Sequence, residues 1–237
     1  YKDGDIIIKN STAEDYEKIW KNYLDLDRAY GPLKKTIVAG DERMIPVVEF
    51  DYVSEGESGV EWETTISFII SQNRSIPLIK KSIEMLANNY GDYIGNYEGQ
   101  DYHAFPTPEQ LKNVSVNEIG KCKVGYRGKY IVETANIIAD NPQELYRMKN
   151  EDEAKAKAYL LSLFGVGPKV ANCILLFSMG KYSSFPIDVW IKRIMESIFE
   201  LEGKTNKEII EKADAVFGKY GGFAQQYLFY YAINNSK

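Results

Sequence analysis

A tight turn, Gly165-Val-Gly-Pro168, set between two apolar segments, limits most strongly what this chain can become. The first segment is Ala158-Tyr-Leu-Leu-Ser-Leu-Phe164 and the second is Lys169-Val-Ala-Asn-Cys-Ile-Leu-Leu-Phe177. Glycines let the backbone reverse sharply and let its amides approach a ligand closely. Pro168 suits the first position of a helix. The unpaired amides at that helix start, together with the helix dipole, favour a phosphate. The pattern therefore reads as a helix–hairpin–helix over about 156–179, a sequence-independent grip on a nucleic-acid backbone. Gly-x-Gly alone reads as well as an ordinary packing corner; the flanking apolar helices and the Pro-Lys that follows favour the hairpin.

Most of the remaining chain carries helical signals. Thr12 with Asp15 resembles a capping box that opens a helix through about Leu26. Further apolar-periodic segments run from Trp62 to Ser71, Ile76 to Asn89, Tyr130 to Ala139, Glu151 to Leu163, Lys169 to Met179, Val189 to Phe199, Lys207 to Phe217 and Phe223 to Ile233. Thr107-Pro108 starts a short helix. Residues 40–61 and 91–106 read as connections. Asp3-Gly4 is a hairpin turn signal, and Asp5 to Lys9 reads as the strand after it, so the chain is expected to start inside a β domain. The expected fold is mainly α, or α+β with the β domain counted. It divides into a β remnant at 1–10, one helical subdomain from 11–60 and 181–237, and a second from 61–180.

Composition excludes several chemistries. Two cysteines, Cys122 and Cys173, cannot supply a four-cysteine zinc or iron–sulfur site. A single histidine, His103, rules out a multi-histidine metal centre. Catalysis must rest on Lys, Asp, Glu, Tyr or backbone. No apolar run has the length of a membrane span, and residues 1–5 lack the apolar segment of a secretory signal, so none is expected there. The net charge of −5 argues against a protein that coats nucleic acid non-specifically, although it permits a local basic surface.

Lys169 lies in the first turn of the second hairpin helix. The dipole and partial burial both favour its neutral, nucleophilic amine. Taken alone, a lysine at a helix start is more often a solvated lysine or a simple phosphate contact. Nineteen residues on, Asp188 follows Phe185-Pro-Ile187 at the start of another apolar helix. Such an aspartate is an N-cap, worth about 1 kcal/mol. A capped and therefore rigid carboxylate can also stabilise positive charge on a sugar ring as a base departs.

Leu163-Phe-Gly-Val-Gly-Pro-Lys169 followed by Phe185-Pro-Ile-Asp188 resembles the helix–hairpin–helix Gly/Pro–Asp motif of the DNA glycosylase superfamily. Phe68-Ile-Ile-Ser-Gln-Asn73, Tyr102-His-Ala-Phe-Pro106, Gly125-Tyr-Arg-Gly-Lys-Tyr130 and Gly222-Phe-Ala-Gln-Gln-Tyr-Leu-Phe229 extend the resemblance from about residue 5 to 232. Together they point to 8-oxoguanine DNA glycosylases of the eukaryotic type and their bacterial relatives. The resemblance implies a bifunctional enzyme, a glycosylase and abasic-site lyase of base-excision repair. Lys169 would attack C1′ and form a Schiff base, with Asp188 as its electrostatic partner. Phe229 and Cys173 would hold the flipped base between them, and Gln225 would read its Watson–Crick edge. Asn73 would fill the gap in the duplex beside a Tyr126 wedge, and Arg127 would read the opposite cytosine. Gly165, Val166 and Gly167 would meet the DNA backbone. The carbonyls of Leu161, Leu163 and Val166 would hold a sodium, potassium or calcium ion that bridges to a phosphate. No cofactor is otherwise implied. Taken singly, Phe229 reads also as core, Gln225 as a surface amide and Cys173 as a small buried hydrophobe.

Departures from the family pattern sharpen the expectations. Phe164 replaces a proline in the hairpin. Trp190 replaces a histidine near the site. Leu78 replaces a second arginine that reads the opposite base, so weak opposite-base preference is expected. The segment that detects the N7 proton of 8-oxoguanine in the family lies before Tyr1. The expected partner is duplex DNA carrying 8-oxoguanine, bound by a monomer, in the cytoplasm and nucleoid of a bacterium or the nucleus of a eukaryote. The competing readings are another helix–hairpin–helix glycosylase, for alkylated bases or of broad specificity, and a non-catalytic DNA-binding module.

Overall fold

The computed structural model describes residues 7–8, 11–49 and 61–235. Two apolar cores organise them. One is drawn from Trp62 to Met179. The other joins Leu33 to Val48 with Phe185 to Leu228. The hairpin's second helix, Pro168–Ser178, lies at the centre of the first core. Val170 to Leu176 and Ser178 are all buried, which leaves the helix apolar on almost every side. It packs against Glu61–Ser71 and against the hairpin's first helix, Glu153–Ser162. In the second core, Val189–Phe199 buries Ile191, Met195 and Phe199, one stripe at helical spacing, and packs on the last helix, Gly221–Asn235.

The structure departs from several expectations. The strand expected at residues 5–9 falls outside the described residues except for Ile7 and Ile8, which have no strand conformation. The first helix opens on the Thr12–Asp15 capping box but does not run unbroken to Leu26. A π-helical segment, Tyr16–Trp20, separates Ala13–Asp15 from Lys21–Tyr23. Residues 91–106 are not a plain connection: strands β1 (Tyr93–Tyr97) and β2 (Gln100–His103) pair antiparallel there. Within the described part of 40–61, Glu42–Met44 is a 3-10 turn and Ile45–Val48 a short helix. Helices at Tyr30–Gly40, Val116–Gly120 and Pro142–Arg147 add to those expected. The segment expected to start at Tyr130 begins earlier and forms Arg127–Asp140.

Residues 180–184 carry the chain from one core to the other and are fastened on both sides. Lys181 Nζ donates to the carbonyls of Lys149 and Glu151 at 3.0 and 2.6 Å. The Ser183 and Ser184 hydroxyls both donate to the Glu153 carboxylate, Ser184 at 2.9 Å. From the second core, the Gly222 amide donates to the Tyr182 carbonyl at 2.7 Å. A Cβ at Gly222 would lie 2.3 Å from the tip of the Leu176 side chain and 3.0 and 3.1 Å from the Tyr182 and Ser184 carbonyls, so a larger residue would push this segment aside. Among the described residues no helix is long and apolar enough to cross a membrane.

Candidate active site

The hairpin turn is built as the glycines require. Gly165 has φ +79°, and a Cβ there would meet the Tyr130 side chain at 2.5 Å. Gly167 caps the second helix in an extended conformation, and its carbonyl accepts the Ala171 amide at 2.9 Å. Two turn carbonyls are held from outside. Thr134 Oγ1 donates to that of Phe164 at 2.8 Å, and Gln72 Nε2 to that of Gly165 at 3.0 Å. Phe164 packs edge-on against Tyr130, with ring centres 5.6 Å apart.

Beside the turn is a cavity of about 140 Å³, lined by Phe68, Lys169, Cys173 and Phe177 from the first core. Pro186, Asp188, Gln225, Gln226 and Phe229 complete it from the second. Four of the residues singled out from sequence, spread from Lys169 to Phe229, thus meet Cys173 on one small wall. Lys169 is half-buried, with its Nζ 5.3 Å from the centre of the Phe68 ring. Phe68 in turn stacks on Phe177 at 5.3 Å. Asp188 is the N-cap of its helix, and its Oδ1 accepts the Ile191 amide at 2.9 Å. Burial pushes the Cys173 thiol up to about 11; the neighbouring Lys169 opposes that shift and Asp188 adds to it. The thiol therefore stays protonated. Gln225 is 5% exposed and donates from Nε2 to the Pro186 carbonyl at 3.2 Å.

A groove shares Lys169 and Asp188 with this cavity and runs past Gly167, Trp190 and the turn at Gln72, Asn73 and Arg74. Asn73 is exposed, in a left-handed conformation with φ +49°. Tyr126 is 58% exposed, while Arg127 beneath it is 6% exposed. The guanidinium of Arg127 lies 4.4 Å from the Tyr126 ring centre. Its Nη1 donates to the Val124 carbonyl at 3.3 Å, and its Nη2 to the carbonyls of Gln72 and Asn73. So both terminal nitrogens of Arg127 are engaged by the protein's own backbone, while its buried Nε has no hydrogen-bond partner among the described residues. Leu78 is 47% exposed.

Among the described residues no group of three His, Cys, Asp or Glu side chains gathers as a metal site. The hairpin offers carbonyls instead; that of Leu163 accepts the Val166 amide at 3.2 Å and keeps a second lone pair. Phe68, Phe177, Gln226 and Gln72 carry no signal in the sequence that marks them as site residues. The phenylalanines carry the spacing of core residues, and Gln226 sits beside Gln225 with no feature of its own. Gln72 acts through a carbonyl that no pattern marks.

Comparisons with known proteins agree with this geometry. A family model described as "HhH-GPD superfamily base excision DNA repair protein" matches residues 66–219. A probable N-glycosylase/DNA lyase of Methanothermobacter thermautotrophicus is 35% identical over 190 residues, covering 72% of this chain and 60% of that protein. The N-glycosylase/DNA lyase of Saccharomyces cerevisiae is 32% identical over 205 residues, 71% of this chain and 54% of the yeast protein. The chain thus spans little more than half the length of these two relatives. The structure of Clostridium acetobutylicum 8-oxoguanine glycosylase/lyase, in complex with double-stranded DNA containing cytosine opposite 8-oxoguanine, superposes with a TM-score of 0.88. Its sequence is 36% identical, and the match covers 96% of this chain and 78% of that one.

Proposed function

Because the chain belongs to the HhH-GPD superfamily of base excision DNA repair proteins, we propose that it removes 8-oxoguanine from duplex DNA and then cleaves the strand. The observation that carries this reading is the meeting of Lys169, Asp188, Gln225 and Phe229 around one cavity beside the hairpin. The base must leave the stack to enter it, at a cost of a few kcal/mol. Stacking on Phe229 offsets roughly 1–3 kcal/mol of that. The Asn73 side chain, on its exposed turn, fills the gap left in the duplex, with Tyr126 beside it. Cys173, protonated and buried, is a soft wall for the base on the face away from Phe229.

In the reaction the Lys169 amine forms a bond to C1′ as the bond from C1′ to the base nitrogen breaks, and the base leaves with the electron pair. Asp188 stabilises the positive charge that develops on the sugar. The lysine nitrogen then loses one proton, and its lone pair forms C1′=N as the C1′–O4′ bond breaks and O4′ takes up a proton, which gives a protonated imine. The C2′ proton is then acidic, and its removal expels the 3′-phosphate. Gly165, Val166 and Gly167 hold the DNA backbone. Oxygen donors in a tight loop suit a hard cation, so the Leu161, Leu163 and Val166 carbonyls would hold a sodium, potassium or calcium ion, which would supply positive charge toward the DNA backbone. The protein works as a monomer wherever its DNA lies, in a nucleoid or a nucleus.

Borohydride reduction tests this. A duplex carrying 8-oxoguanine should give a covalent protein–DNA adduct with the wild-type protein and none with Lys169→Gln. Base release without an adduct would place the chain among monofunctional glycosylases, in which an aspartate directs water.

A further inference from the structure

Gln226 is adjacent to Gln225, and both line the cavity. Neighbours on a helix point about 100° apart and do not normally touch. Here they do: Gln226 Nε2 donates to Gln225 Oε1 at 2.5 Å. Gln225 Nε2 donates at the same time to the Pro186 carbonyl at 3.2 Å. A carbonyl only accepts, so the nitrogen of Gln225 must face Pro186 and its oxygen must face Gln226. Turning the amide over would set two oxygens against each other on one side and two NH₂ groups on the other. Gln225 is 5% exposed, so water cannot replace either partner easily.

We propose that Gln226 is a positioning residue for base selection. It locks the Gln225 amide with its oxygen as the acceptor presented to an extruded base. One lone pair of Oε1 receives Gln226, and the second is available in the cavity. A base whose Watson–Crick edge carries a ring N–H, as a guanine-type lactam does, satisfies that lone pair. An adenine-type edge sets its own N1 lone pair against it. A site built around one such hydrogen bond rejects the analogue that lacks the donor far better than shape alone does.

The inference rests on the base-excision reading of this cavity, and the experiment separates the two. Single-turnover excision is measured on duplexes carrying 8-oxoguanine or 8-oxoadenine opposite the same base. Borohydride trapping is measured on a duplex with a preformed abasic site, where no base is read. Gln226→Leu should excise 8-oxoguanine about tenfold more slowly, the scale of one lost hydrogen bond. Its ratio of 8-oxoguanine to 8-oxoadenine excision should fall, and abasic trapping should stay at the wild-type level. Gln226→Glu, which puts an acceptor against the Gln225 oxygen at unchanged size, should lower the ratio further. Intact abasic trapping shows that each variant is folded. An unchanged ratio in both variants overturns the proposal, as does a fall in abasic trapping that matches the fall in excision. Wild-type protein that neither excises nor traps removes the base-excision reading itself, and the proposal with it.

Discussion

One carboxylate oxygen of Asp188 is taken by the Ile191 amide, so a single side chain both starts a helix and faces the cavity. The two duties separate by substitution. Asparagine caps a helix as well as aspartate does, so Asp188→Asn should melt near the wild-type temperature while excision falls by about 10²- to 10³-fold. Asp188→Ala should lose the activity and about 1 kcal/mol of stability as well. Equal losses of stability in the two variants would contradict this division. Cys173 offers a pH signature. Its thiol ionises near 9 in an unfolded chain and is pushed up to about 11 in the fold by burial. The folded state therefore holds the proton more tightly, and the linked stability is complete below pH 9 and lost as pH rises toward 11. Two units correspond to about 2–3 kcal/mol. Urea unfolding at stepped alkaline pH should show a shallower loss for Cys173→Ala than for the wild type; parallel curves would contradict it.

At the scale of elements, the turn at Gln72-Asn73 is pinned twice. Arg127 donates to its carbonyls, and the Gln72 side chain reaches the Gly165 carbonyl of the hairpin. If Arg127 is a strut, Arg127→Ala should slow excision by a similar factor whichever base lies opposite the lesion. A loss confined to cytosine would make it a reader that swings out on binding. If the exposed Leu78 lies where the opposite base is read, wild-type protein should discriminate weakly, and Leu78→Arg should raise the preference for cytosine. The hairpin helices were legible because Gly165, Gly167 and Pro168 leave the backbone little choice. The strand pair was not. Its turn is Glu98-Gly99, both at positive φ, in place of the usual Asn-Gly. Tyr30–Gly40 was missed because Gly31 and Pro32 open it and weaken its propensity; tertiary burial of Leu33 and Ile37 holds it. Val116–Gly120 is five residues long, and only its Ser115–Glu118 capping box announces it. Lys169 and Asp188 could be paired from spacing and motif. The roles of Gln226 and Gln72 depend on which atoms meet across elements, and no one-dimensional pattern carries that.

Over the whole molecule, the candidate site exists only because two separately cored bodies are held face to face. Glu153 is the fastening of the 180–184 segment that can be cut with least disturbance, since its carboxylate takes both serine hydroxyls while its backbone stays in a regular helix. Glu153→Ala should cost about 1–2 kcal/mol and broaden the thermal transition as the two cores begin to melt apart. A melting curve of unchanged midpoint and width would show that the segment carries none of this coupling.

The split of the cavity wall has a consequence for engineering. In the proposed reaction the amine of Lys169 comes from one core, and the amide of Gln225 and the ring of Phe229 come from the last helix of the other. A library confined to Gln225, Gln226 and Phe229 would vary the accepted lesion while leaving the lysine's own helix untouched. New substrate ranges could then be screened against the proposed strand-cleaving step, read on abasic DNA as a constant internal standard.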